Sequence, residues 1–312
     1  RTVLVGTLAT LGLTACAGTG GGSGAASSGS TKPKQVIIVT DSDPDSLNPG
    51  LTTGYQALDV NVKVYEGLVW LDKEGKPQPQ LATKWVASPD NLTYTFTLRE
   101  GVKWHDGSAF TADDVKYSFE TLLKDNARAQ GVIKQIASVT IPDATTVVFK
   151  LKAPYAPFMS QMKAFDTPIL CKAVYDGKGD VKANPANRAP VGTGPFKFKE
   201  WKTGQSVTLT KNTAYWAPGQ PKVDELVFRI IPEAQNRVNA IVAGEVDILP
   251  AVMLPQANIK DIEGKPNINV NKQTAIPALY FMLMNQANPA LAKVEVRRAL
   301  AALLSGGHLL LE

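Results

Sequence analysis

The chain has 312 residues, of which 44% are hydrophobic and 20% charged, the composition of a globular protein long enough for more than one core. Its formal charge of +5 is spread out, with no basic run interleaved with aromatics, which argues against a nucleic-acid partner. The only two cysteines, Cys16 and Cys171, exclude a disulfide framework as the organising device.

The first segment reads as targeting rather than fold. Thr2 to Leu13 is a short apolar run, too short for a membrane span, and Leu13-Thr14-Ala15-Cys16 resembles the cleavage box of a bacterial lipoprotein. Residues 1–16 are therefore expected to be a signal peptide, with Cys16 the lipid-bearing mature terminus; a buried free cysteine is the plainer alternative. Residues 17–33 are nearly all Gly, Ser, Ala and Thr, a flexible tether with nothing to bury.

Gln35 to Thr40 is a β-branched strand, followed by a polar turn-rich loop from Asp41 to Pro49. The spacing of Val60, Val64, Gly67 and Leu68 predicts a helix over Leu58 to Trp70. Thr93 to Arg99 alternates strictly, with Tyr94, Phe96 and Leu98 on one face, the period of a half-buried strand. Trp104-His105-Asp106-Gly107 makes a polar turn, and Thr111 with Asp114 has the spacing of a capping box before the apolar face Val115, Phe119, Leu122 and Leu123. Val139 to Leu151 reads as a hairpin around Pro142-Asp143, Tyr155 to Met162 as a short helix, and Asp176 to Ala189 as a loop that could cross between domains.

Pro190-Val191-Gly192-Thr193-Gly194-Pro195-Phe196 is a second distinctive block, whose glycines permit a tight backbone; without a following GK[ST] or helix it is no phosphate loop. Strands at Val207 to Leu209 and Glu225 to Ile231 follow, then a helix from Glu233 to Ala243 that Gly244 ends before a short strand through Ile248. Ile276 to Asn285 is an apolar strand.

The residues offer no catalytic constellation. His105 and His308 are the only histidines, so neither a triad nor a metal cluster assembles, and His105 beside Asp106 reads as a turn histidine packed in a structural corner. Glu66 and Asp247 are carboxylates that could pair as in a glycosidase, but the sequence gives no separation between them.

The ordered string Pro79, Leu81-Ala82, Trp85, Tyr94, Phe96, Leu98-Arg99, Trp104-His105-Asp106-Gly107 and Thr111-Ala112-Asp113-Asp114-Val115 resembles the signature of the family 5 extracellular solute-binding proteins of ABC importers, the dipeptide, oligopeptide and nickel binders. Tyr65-Glu66-Gly67-Leu68, the Gly192 block and Gly244-Glu245-Val246-Asp247-Ile248 are similar to the family at the corresponding points, whereas Asn48 stands where aspartate is usual. The resemblance runs from about residue 32 to 300, fades after Leu300, and covers the first part of a family chain, which suggests a C-terminal truncation. It implies an α/β fold of the periplasmic-binding-protein-like class II type with mixed sheets, incomplete because the second ligand-binding lobe is missing. Residues 32–62 and 188–275 would form the first lobe, 63–187 an inserted smaller domain, and 276–312 the start of a third. It further implies a lipid-anchored, exported, non-enzymatic receptor without cofactor or metal. Such a receptor, a monomer, would capture a solute, favoured as a peptide, for ABC permease subunits. Asp41, Ser42, Gly192, Thr193, Tyr280 and Asn285 would line its cleft. A solute sensor that feeds no transporter and a secreted hydrolase are the rival readings.

Overall fold

The computed structural model describes residues 33–271 and 284–305. Its contacts divide the chain into two compact units, one ending at Ile259 and one beginning at Lys260. The first carries β1 (Gln35–Thr40), α1 (Tyr55–Val64), β2 (Val69–Leu71), β3 (Pro77–Pro79), β4 (Ala82–Ala87), β5 (Thr93–Leu98), α2 (Ala112–Tyr117), α3 (Gln130–Ile133), β6 (Ile136–Asp143), β7 (Thr146–Leu151), α4 (Lys172–Tyr175), β8 (Phe196–Lys202), β9 (Ser206–Lys211), β10 (Glu225–Ile230) and α5 (Ala234–Val242).

Two four-stranded sheets dominate this unit. One has the order β1-β10-β9-β8, the other β4-β5-β7-β6, and β2 pairs with β3 apart from both. In the first sheet β1 runs parallel to β10 while the remaining pairs are antiparallel, so the sheet is mixed. The strand spans drawn from the sequence hold closely: Gln35–Thr40 exactly, and the alternation of β5 with Tyr94, Phe96 and Leu98 buried.

Each sheet has its own core. Under the second, Phe149 meets Phe96 and Phe119 edge-on, at ring centroid distances of 5.6 Å and 4.8 Å, and Phe158 packs on Tyr94 at 4.4 Å. Under the first, Leu47, Val60, Val64, Leu209 and Phe228 form the apolar cluster. The start of α2 follows the capping expectation, since the Asp114 carboxylate accepts the Thr111 backbone N–H at 2.9 Å. After Tyr117 the helix loosens into a π turn, Ser118–Leu122.

Four expectations shift. The helix expected over Leu58 to Trp70 is α1, which begins three residues earlier and stops at Val64. It stops because Gly194 N–H takes the Val64 carbonyl at 2.8 Å, and because Gly67 lies against the backbone of Met162 and Ala164, where a Cβ would come within 2.5 Å. The hairpin turns at Ala144-Thr145 rather than Pro142-Asp143: Pro142 lies within the irregular register that precedes the last residue of the edge strand β6, where its missing N–H is tolerated. Of the helix expected at Tyr155 to Met162 only a 3₁₀ turn, Met159–Gln161, forms. The strand expected after Gly244 reduces to a single parallel bridge, Ile38 to Ile248, although Gly244 does take the positive φ of a helix terminator at 71°.

The second unit holds the helix Val294–Ser305 and, before it, a short turn of helix, Pro289–Ala292, capped by the Asn288 side chain on Ala290 N–H at 2.9 Å. The apolar strand expected from Ile276 lies outside the described residues up to Leu283; Met284 and Asn285, which are described, form no strand.

Candidate functional site

β1, β10 and the segment bridged through Ile248 run in one direction, so all three leave the first sheet at the same edge. Open α/β sheets offer their ligand crevices beyond such carboxyl ends. Asp41 and Ser42 are the first residues beyond β1. Asp41 Oδ1 accepts Gln56 Nε2 at 2.7 Å and Ser42 Oγ at 3.1 Å. Burial alone would raise this carboxyl; the Gln56 and Ser42 hydrogen bonds and the Arg237 charge outweigh it and hold Asp41 below the usual carboxylate range.

The loop that follows is a built structure rather than a solvated turn. Asp43 accepts Trp201 Nε1 at 2.6 Å and Gly204 N–H at 2.8 Å, which ties the loop to the β8–β9 hairpin. Asp45 accepts the Thr52 hydroxyl at 2.5 Å. Asn48 is fully buried; its amide donates to Asn187 Oδ1 at 2.9 Å while its carbonyl accepts Gly50 N–H at 2.8 Å. An aspartate could not donate in the first of these bonds, so the asparagine suits its partners here.

Gly192 and Thr193 lie elsewhere, buried where the chain crosses between the sheets, and they make no hydrogen bond to Asp41 or Ser42. An added Cβ would come within 1.9 Å of the Val64 carbonyl oxygen at Gly192 and 2.6 Å at Gly194. Neither glycine has a positive φ, so close approach to the end of α1 is what requires them. His105 clamps the same loop from the other side: its backbone N–H donates to Gly192 O at 2.8 Å, its Nδ1 accepts Gly192 N–H at 3.2 Å, and its Nε2 contacts Gly194 O at 2.9 Å. Accepting at Nδ1 fixes the neutral tautomer that donates from Nε2. Burial pushes the imidazole down to about 4; the Gly194 bond opposes this and the Lys197 charge adds to it.

Glu66 is the feature that sequence reasoning missed in kind. Its carboxylate is buried and accepts Tyr215 OH at 2.8 Å, Trp216 Nε1 at 3.1 Å and Gln80 Nε2 at 3.3 Å, while Arg99 stacks 3.8 Å from the Trp216 ring centroid. Burial raises its pKa, and the Tyr215 and Trp216 bonds hold the rise back. Asp247 accepts Ile37 N–H at 2.7 Å instead, so the two carboxylates serve separate partners and form no glycosidase-like pair. No signal in the sequence joins Glu66 to residues about 150 positions away.

Asn285 belongs to the second unit, where it is exposed and its side chain caps Ala287 N–H at 3.0 Å. Cys16 and Tyr280 lie outside the described residues. Among the described residues no group of His, Cys, Asp and Glu is placed to hold a metal ion, and no helix is long and apolar enough to cross a membrane.

A family model described as bacterial extracellular solute-binding proteins, family 5 Middle, matches residues 76–304. The glutathione-binding protein GsiB of Escherichia coli O1:K1 / APEC is 30% identical over 86% of this chain and 51% of its own. Two solved structures share the fold: DppA from Helicobacter pylori in complex with the peptide STSA, with a TM-score of 0.67 at 29% identity over 75% of this chain and 49% of that one, and NikZ from Campylobacter jejuni in complex with Ni(L-His), with 0.73 at 26% over 86% and 53%. The chain spans about half the length of the curated relatives it matches.

Proposed function

Since the chain belongs to the bacterial extracellular solute-binding proteins of family 5, we propose that it is the solute-capturing part of an ABC importer, which takes up a small peptide and hands it to membrane permease subunits. The family match over residues 76–304 carries the importer reading. The peptide reading draws on the relatives' printed ligands, glutathione for GsiB and STSA for DppA. The strand exits at Asp41 and Ser42 form one wall of a cleft, in which fixed polar groups meet a peptide's main chain and termini. A second wall closes over the ligand by a hinge motion, and ligand shifts the population towards the closed state. The receptor performs no chemistry on its solute. The first lobe is assigned to residues 32–62 and 188–275, an assignment that the pairing of β1 with β10 supports for the residues up to Ile259, and the inserted domain around the second sheet to 63–187.

Calorimetry tests the ligand. A chain extended to its relatives' length should bind STSA or glutathione with micromolar affinity. The 312-residue chain, which spans about half its relatives' length, should bind neither more tightly than about millimolar, near −4 kcal/mol. Tight binding of nickel-histidine with no peptide binding would overturn the peptide assignment. The Leu13-Thr14-Ala15-Cys16 box further supports a receptor anchored by lipid at Cys16 on the outer face of the membrane. Cys16→Ala should then release it from the membrane fraction, and a variant that stays fully bound would refute the anchor.

A further inference from the structure

Arg237 is a cation in a place where cations are rare. It stands on α5, only 7% exposed, and its hydrogen bonds among the described residues all go to backbone carbonyls: Nε to Met253 O at 2.9 Å, Nη1 to Ile231 O at 3.0 Å, and Nη1 also to Pro232 O. Those carbonyls are not a random set. Ile231 and Pro232 are the first residues beyond β10, and Met253 ends the 3₁₀ turn Ala251–Met253 that follows the Ile248 bridge. The backbone already joins these exits to β1, since Ile231 N–H donates to Thr40 O at 2.8 Å and Val39 N–H to Ile248 O at 2.9 Å. One guanidinium therefore ties two of the three exits that form the proposed cleft wall, and its charge acts on the carboxylate at the start of the third, Asp41.

We infer that Arg237 is a positioning residue for solute binding: its planar fork holds the β10 exit and the Ala251–Met253 turn in register beside Asp41, so that the three exits present one fixed wall. The inference rests on the reading of this edge as part of the solute cleft. A buried guanidinium satisfied only by carbonyls contributes through charge-assisted bonds in a fixed fork, and lysine reproduces the charge without the fork. That difference separates the two things Arg237 does. Its charge lowers the Asp41 carboxyl, and its geometry sets the exits.

The experiment uses Arg237→Lys and Arg237→Met in the chain extended to its relatives' length, with STSA as the probe. Three quantities are read: the Asp41 carboxyl titration by carbon NMR, amide exchange at Ile231, Glu233 and Leu254, and STSA affinity. Arg237→Lys should keep the low Asp41 midpoint, lose protection at both exits and bind about tenfold more weakly, the loss of one charge-assisted bond. Arg237→Met should also raise the Asp41 midpoint. If Arg237→Met fails to fold, the Lys variant carries the test, because a purely structural role predicts normal affinity once the folded state is restored by lower temperature. Variants with reduced thermal stability but wild-type affinity and exit protection would overturn the inference. Absence of STSA binding by the wild type would sink the peptide reading instead, while the Asp41 titration and the exchange data still decide the role of Arg237.

Discussion

A single side chain can set a protein's response to acid, and His105 is placed to do so. The unfolded imidazole takes its proton near pH 6.5, the folded one near pH 4, so between these values the unfolded state binds more protons and gains on the native state as pH falls. The stability at stake is of order 2 kcal/mol after allowance for partial exposure. Urea unfolding at pH 7 and pH 4.5 should show this loss in the wild type and a smaller one in His105→Asn; equal losses would count against the clamp. Glu66 works in the opposite sense, because a carboxyl raised by burial adds stability that fades as pH climbs through its folded value. Tyr215→Phe removes one donor from that buried carboxylate and should cost about 1–3 kcal/mol in the same assay. The histidine was legible as a structural corner residue, since nothing nucleophilic accompanied it. Glu66 and Arg237 were not, because their partners are set by tertiary approach and leave no local pattern.

At the level of elements, the glycines divide into two kinds that a sequence does not distinguish. Gly192 occupies a backbone any residue can adopt but faces the Val64 carbonyl with no room for a Cβ, whereas Gly101 takes a φ of 74° with nothing within 4 Å. Gly192→Ala should therefore cost clearly more than Gly101→Ala, whose penalty is about 1 kcal/mol. Thermal unfolding of the two variants gives the comparison, and the opposite order would show that the loop can retreat from α1. The strands β1, β5, β9 and β10 were legible for two reasons: β5 and β10 bury alternate residues, and β1 and β9 are β-branched or apolar runs whose buried residues are consecutive. The end of α1 was misplaced for the same reason that Gly192 is needed: a remote loop, not a local breaker, takes the Val64 carbonyl and stops the helix.

Across the whole first unit, the two sheets have separate cores but share a crossing fastened twice, by Val64 with Gly194 and by Glu66 with Trp216. Coupling of this kind predicts one cooperative transition rather than two. Phe149→Ala, which opens a cavity under the second sheet and should cost about 3–5 kcal/mol, ought to lower amide protection in β9 of the first sheet in step with β5. Protection that falls in β5 alone would mean that the sheets unfold independently. The mixed α/β class was legible through the resemblance that the motif string carries, but the sharing of one compact unit by both sheets was not.

The parallel pairing of β1 with β10 also has a consequence in time. Gln35 finds its side-chain partner Glu225 at a separation of 190 residues, whereas every strand of the second sheet pairs within the stretch from Ala82 to Leu151. A chain that emerges N-terminus first must hold an apolar, β-branched segment without its partner until nearly the whole first unit has followed. Closing so long a loop comes late, and the exposed strand is meanwhile a target for aggregation or for a holding chaperone. Pulse-labelled exchange during refolding should thus protect β5 and β7 amides before those of β1, and a short peptide copying Gln35–Thr40 should compete for β10 only in that interval.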